Sequence, residues 1–158
     1  MYKHILLPTD GSALSEKAVK QCIRLASSIG AKITAVNVTP EFKVIMDEGL
    51  VMSNAALIRK RFEDETGKRS KKLLAEVRAS ASAAGVDCDC VSVTSGVPYE
   101  AIIKQAKKAK CDLIMMASHG RKGLSSILLG SETAKVLRTR PSRCWWYGDT
   151  VGGANAID

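Results

Sequence analysis

"CDLIMMASHGRKGLSSILLGSETAKVLRTR", Cys111 to Arg140, passes from an unbroken apolar run, through a loop of glycines and small hydroxyl residues, to a helical pattern. The run Cys111–Ser118 is apolar at both parities, which suits a central parallel strand covered by helices on both faces. "SETAKVLRTR" then opens a helix, with Gly130 and Ser131 at its start. Strand, loop and helix form half of a βαβ unit, and the rest of the chain repeats it.

"HILLPTD", His4 to Asp10, is a short apolar run ended by proline, which reads as a buried strand meeting its loop. The following "GSALSEKAVKQCIRLASSIG" places Ala18, Val19, Cys22, Ile23, Ala26 and Ile29 at helical spacing. Ser12 or Ser15 can serve as N-cap, and Gly30 stands where a helix wants its terminal glycine. "AKITAVNV", Ala31 to Val38, is rich in β-branched residues and reads as a second strand. Residues 40–54 read as irregular. A long charged helix follows over about Ala55–Ala84, with a break expected near Gly67 and Leu73, Leu74, Val77, Ala81 and Ala84 on its inner face. "CDCVSVTSG", Cys88 to Gly96, is a third strand, and Pro98 opens a third helix. The alternation predicts one α/β domain with a doubly wound, open parallel sheet and right-handed crossovers.

Composition agrees with a single globular domain: 158 residues, 46% hydrophobic and 25% charged. No apolar run reaches the length of a membrane span, and Met1–Leu7 is too short for a signal peptide, so a cytoplasmic location is expected. Five cysteines without a CxxC pair suggest reduced, mostly buried thiols rather than a disulfide framework or zinc site. The net charge of +8 is concentrated in "IRKRFEDETGKRSKK" and "RTRPSR", with no aromatic residues interleaved as stacking platforms; sequence-specific nucleic-acid binding is not expected.

Ligands of open α/β sheets bind beyond the carboxyl ends of the strands, where strand order reverses. Two loops fall at such ends: "PTDGS", Pro8 to Ser12, and the Ser118–Gly130 loop. Glycines allow close backbone approach, and a helix opening at Gly130–Ser131 presents free N–H groups and a positive dipole end to an anion. Neither GxxxxGK[ST] nor GxGxxG is present, so by spacing alone a phosphate cradle and a plain strand-to-helix connection both stand. Asp10 can instead cap the first helix and Ser131 the last. His119 reads as a loop histidine with one hydrogen bond, and Met115 and Met116 as core. No nucleophile elbow or oriented general base is visible.

Over residues 1 to about 137 the chain resembles the universal stress protein family, in "HILLPTDGSALSEKAV" and "DLIMMASHGRKGLSSILLGSETAKVL". The nucleotide-binding members of that family carry G-x2-G-x9-G-[ST]. The matching positions here are Ala117, Gly120, Gly130 and Ser131, with alanine replacing the first glycine. The resemblance implies a Rossmann-like fold of the adenine-nucleotide α-hydrolase type that binds ATP, ADP or AMP, with any Mg²⁺ held by the phosphates. It implies that Pro8, Thr9 and Asp10 wall the adenine and ribose end and that Val38 meets the base, and only the resemblance assigns Met116 to the adenine. Gly120, Gly130 and Ser131, with His119, Arg121, Glu132 and Thr133 beside them, would surround ribose and phosphates. A homodimeric regulator, at most a slow ATPase or autophosphorylating protein, is the implied function. Family members that have lost the nucleotide and serve as interaction modules are the alternative, and Ala117 keeps it open.

After Leu137 the resemblance stops, and the reading places the domain at residues 1–140 with an atypical tail over 141–158. The family's fifth strand, a "PVLVV"-like run that commonly pairs across a homodimer, is expected to be altered or missing. Gly148, Gly152 and Gly153 suggest disorder beyond Trp145 and Trp146. Read two bases later, the codons of Arg143–Tyr147 encode Val, Leu or Met, then Leu, Val, Val, then Arg or Trp. A frameshift near codon 137 or 138 is one account of the tail and genuine divergence the other. Sequencing the DNA, with an intact mass, decides: a frameshift requires the out-of-frame codons to continue the family pattern back to the last helix, and codons that do not leave divergence.

Overall fold

The computed structural model describes residues 1–43, 54–118, 131–139, 143–147 and 155–157, the last two stretches by their backbone. β1 (His4–Pro8), α1 (Ala13–Ile29), β2 (Lys32–Thr39), α2 (Ala55–Ala83), β3 (Cys88–Thr94), α3 (Pro98–Lys108), β4 (Leu113–Ala117), α4 (Ser131–Thr139), β5 (Arg143–Tyr147) and β6 (Asn155–Ile157) follow in order. They form one sheet of order β3-β2-β1-β4-β5-β6. All pairings are parallel except β5 with β6, so the expected doubly wound α/β architecture is present.

β1 lies at the centre because its residues suit no other place. Ile5, Leu6 and Leu7 are fully buried, and their side chains alternate between two cores. Ile5 and Leu7 join Ile33, Ala35, Leu113 and Met115 beneath α1 and α2, while Leu6 joins Val36, Ile114 and Met116 on the other face, with Ile102 and Ala106 of α3 and Val136 of α4. Each buried side chain of this size contributes roughly 1.5–3 kcal/mol.

Helix ends follow local chemistry. Ser12 is the N-cap of α1, its hydroxyl accepting from Ser15 N–H at 3.2 Å, and Gly30 ends the helix at φ 67°. The second helix differs from expectation in two respects. It continues through Gly67 without a break, and its buried residues are Ser70, Leu74, Val77 and Ala81, with Leu73 half-buried and Ala84 exposed. Propensity against one glycine amounts to about 1 kcal/mol, which the packing of this stripe on the sheet outweighs.

The fifth strand is not missing. Arg143–Tyr147 pairs in parallel with the whole of β4, from Leu113↔Arg143 to Ala117↔Tyr147, and Asn155–Ile157 pairs antiparallel along its outer edge. The Cys-Trp-Trp-Tyr run is altered in sequence but rich in strand-favouring aromatics, and β4 left uncovered would be a buried strand with an open edge.

His4 sits almost fully buried at the start of β1, its Nε2 sharing a 2.8 Å hydrogen bond with the Thr34 hydroxyl. Burial, with Lys32 nearby, pushes its pKa below the usual 6.5. The neutral ring is therefore favoured by the fold, so stability is complete above about pH 6.5 and falls on acidification through the lowered native pKa. Urea midpoints measured from pH 8 to 5 should decline below 6.5, and His4→Gln should flatten that decline.

Candidate functional site

The strand order reverses between β1 and β4: the chain leaves β1 toward β2 and β3, and β4 returns on the other side. α1 after β1 covers one face of the sheet and α4 after β4 covers the other, the arrangement that leaves a strand-end crevice in open α/β sheets. Proline contributes to the opening. Thr9 N–H donates to Val36 O at 2.9 Å, toward β2, so Pro8, one residue earlier, faces β4 with no N–H to offer. Among the described residues, β1 pairs with β4 at Ile5 and Leu6.

The loop after β1 is held from three sides. Thr9, 5% exposed, shares a 2.6 Å hydrogen bond between its hydroxyl and that of Ser15, and its carbonyl accepts from Asn37 Nδ2 at 2.7 Å. Ser15 Oγ also accepts from Asp10 N–H at 3.3 Å. Asp10 turns its Oδ1 back to accept from Ser12 N–H at 3.0 Å, while Gly11 takes φ 74°, a conformation costly for any residue with a Cβ. Ser12 rather than Asp10 caps α1, so the Asp10 carboxylate serves the loop and not the helix.

On the opposite wall, β4 ends at Ala117 and Ser118, both buried. The first turn of α4 is tied to that end: Thr133, 3% exposed, donates its hydroxyl proton to Ala117 O at 3.0 Å. This fastening puts Ser131, the exposed first residue of α4, beside the β4 terminus. Glu132 has a different task. One carboxylate oxygen accepts from Tyr99 N–H at 2.9 Å, capping α3, whose own N-cap Val97 has no side-chain acceptor, and the other pairs with Lys135 at 3.0 Å. Met116 is core, packed with Leu6 and Val136. Ala117 lies within a strand and is absent from the positive-φ residues, so its methyl imposes no backbone strain there.

Beyond β2, a cleft of about 510 Å³ is lined by Val38, Pro40, Phe42, Phe62 and Pro98 among others. The rings of Phe42 and Phe62 meet at 5.5 Å between centroids. Val38, the residue assigned to a base on resemblance, therefore borders an apolar recess. His119, Gly120, Arg121 and Gly130 lie outside the described residues. Sequence reasoning offered Ser15 only as an N-cap and overlooked Asn37, whose signal was an amide within the apolar run "ITAVNV". Among the described residues no group of three His, Cys, Asp or Glu converges to hold a metal, and no helix is long and apolar enough to cross a membrane. Burial raises the thiol pKa values of Cys22, of Cys88 to about 12 and of Cys111 to about 11, which leaves them protonated at neutral pH.

The strand order and the helices on both faces define an open, doubly wound α/β domain. The chain belongs to the universal stress protein family, whose model matches residues 1–144. It is 36% identical over 141 residues to Universal stress protein MJ0531 of Methanocaldococcus jannaschii, covering 87% of this chain and 77% of that protein. The solved structure of hypothetical protein MJ0577 superposes with a TM-score of 0.82 at 24% identity, over 96% of this chain and 99% of that one. A universal stress protein from Archaeoglobus fulgidus, solved in complex with dAMP, matches with a TM-score of 0.60 at 16% identity, over 92% and 97% of the two chains.

Ser15→Ala removes the shared partner of the Thr9 hydroxyl and Asp10 N–H. The expected cost is about 1–3 kcal/mol for stranding these buried groups, read as a lower urea midpoint at unchanged m-value.

Proposed function

We propose that this protein binds an adenine nucleotide, ATP or its di- or monophosphate, in the crevice between β1 and β4, and serves as a stress-response regulator whose conformation or partner choice follows occupancy. The observation that carries this reading is the convergence of the braced Thr9–Asp10 loop and the α4 N-terminus on the point where strand order reverses. The nucleotide complex of the Archaeoglobus relative supports the ligand class.

In this reading Asp10 accepts hydrogen bonds from ribose hydroxyls, Pro8 and Thr9 wall the sugar and base, and Val38 with its apolar recess receives the adenine. Ser131, with Gly120 and Gly130, offers hydroxyl and amide donors to phosphate oxygens, and His119 and Arg121 add polar and cationic groups. The buried Thr133 hydroxyl acts by positioning, since its proton is committed to Ala117 O. Glu132 likewise contributes by fixing α4 against α3. Mg²⁺, where it accompanies a triphosphate, is held by the phosphates. We further propose a cytoplasmic homodimer; because β6 lines the outer edge of β5, pairing of two copies there uses β6 or displaces it.

Denaturing the purified protein should release an adenine nucleotide detectable by absorbance and mass, or else added ATP–Mg²⁺ should raise the melting temperature. Asp10→Ala should weaken binding about 10- to 100-fold, the loss of roughly 1.5–3 kcal/mol for a hydrogen bond to a charged group. The replacement of the family's first motif glycine by Ala117 favours a second reading, an interaction module without nucleotide; absence of both released nucleotide and thermal shift would establish it. Multiple turnover abolished by Asp10→Ala or Ser131→Ala would instead make the protein a slow ATPase.

A further inference from the structure

The positive charge of the chain is unevenly placed. α1 and α2 cover the same face of the sheet, and the Ser27 hydroxyl donates to Ala84 O at 3.4 Å where their C-terminal ends meet. From that contact the two helices run side by side, which sets Lys17, Lys20 and Arg24 of α1 alongside the second half of α2, residues 66–83. There α2 carries Lys68, Arg69, Lys71, Lys72 and Arg78, and all eight bases are exposed. Glu16 and Glu76 are the only acids in the same segments, so this surface holds a net +6 of the chain's +8. The first half of α2 is different: Arg59, Lys60 and Arg61 are balanced by Glu63, Asp64 and Glu65. Glu65 reaches across to Arg69 at 3.5 Å, an exposed pair that offsets little of the patch.

We propose that the outer surface of the α1–α2 layer binds the phosphate backbone of a nucleic-acid duplex without reading its sequence. Charge complementarity selects the class, and the absence of other features narrows it. A protein partner needs an apolar centre to its interface, and a lipid surface binds a helix that inserts apolar side chains. The exposed large hydrophobic residues among those described are Met1, Leu57, Ile58 and Val97, none of them within the patch. A phosphate polymer binds through charge alone, by releasing its condensed counterions. Lys68 to Arg78 spans roughly 15 Å of helix, and with the α1 row about 10 Å away the surface meets about four phosphates. The patch is separate from the crevice between β1 and β4, so binding does not require the nucleotide.

The test is fluorescence anisotropy of a labelled 20-base-pair DNA duplex with the full chain. Binding should weaken about 100-fold between 50 and 200 mM salt. Lys20→Glu/Lys68→Glu/Lys72→Glu should weaken it at least tenfold and flatten the salt slope by about 3. Lys104→Glu/Lys107→Glu/Lys108→Glu on α3, an equal change of charge on the opposite face, should weaken it less than threefold. Equal losses in the two variants, with circular dichroism showing both folded, would reduce the effect to net charge and overturn the proposal. So would no binding at 50 mM salt, or tighter binding to phosphatidylserine vesicles than to the duplex at matched salt.

Discussion

β1 is hydrogen-bonded to a strand on each edge and covered by helices on each face, and the remaining architecture answers to that constraint. At Ile5, Leu6 and Leu7 a strand so enclosed carries apolar side chains, alternating between two cores that must both be filled. The chain fills one with α1 and α2 and the other with α3 and α4, and to do so it must build outward from β1 in both directions. The crevice at its carboxyl end is a consequence of this topology. The helix after β1 covers one face and the helix after β4 the other, and open α/β sheets leave a crevice at such a reversal.

The walls of that gap are rigid for different reasons. On the β1 side, short polar side chains close on one another: Thr9 to Ser15, Ser15 to Asp10 N–H, Asp10 to Ser12 N–H, with Asn37 reaching over from β2. Such a network offers a ligand groups already in place, which reduces the ordering required on binding. On the β4 side, Thr133 fastens the start of α4 to Ala117 O, and Glu132 joins α4 to α3. Glu132 and Thr133 thus act by positioning the helix that Ser131 opens.

Charge and edges show a second division of labour. The loop after β1 is held by hydroxyls, an amide and a carboxylate, whereas α1 and the second half of α2 carry exposed cationic side chains. The sheet ends at β3 on one side and at the short β6 on the other, so the aromatic β5 is not left as an open edge.

Strand and helix alternation, the Ser12 and Gly30 caps and the apolar stripes were legible in the sequence, because burial imposes period 2 or 3.6 on side chains wherever one face is covered. The loop after β1 was legible too, since Pro8 and Gly11 stand where that strand gives way to a loop. What the tertiary structure decided were partnerships between residues distant in sequence: Asn37 with Thr9 O, Glu132 with Tyr99 N–H, Thr133 with Ala117 O. It also decided that Gly67 stays helical, because packing on the sheet outweighs the roughly 1 kcal/mol by which local propensity speaks, and that Arg143–Tyr147 pairs with β4. Sequence determined which side chains had to be buried and where the chain had to turn; only the closed fold, in which hydrogen bonds form between whatever groups burial brings together, determined which polar groups hold the crevice in shape.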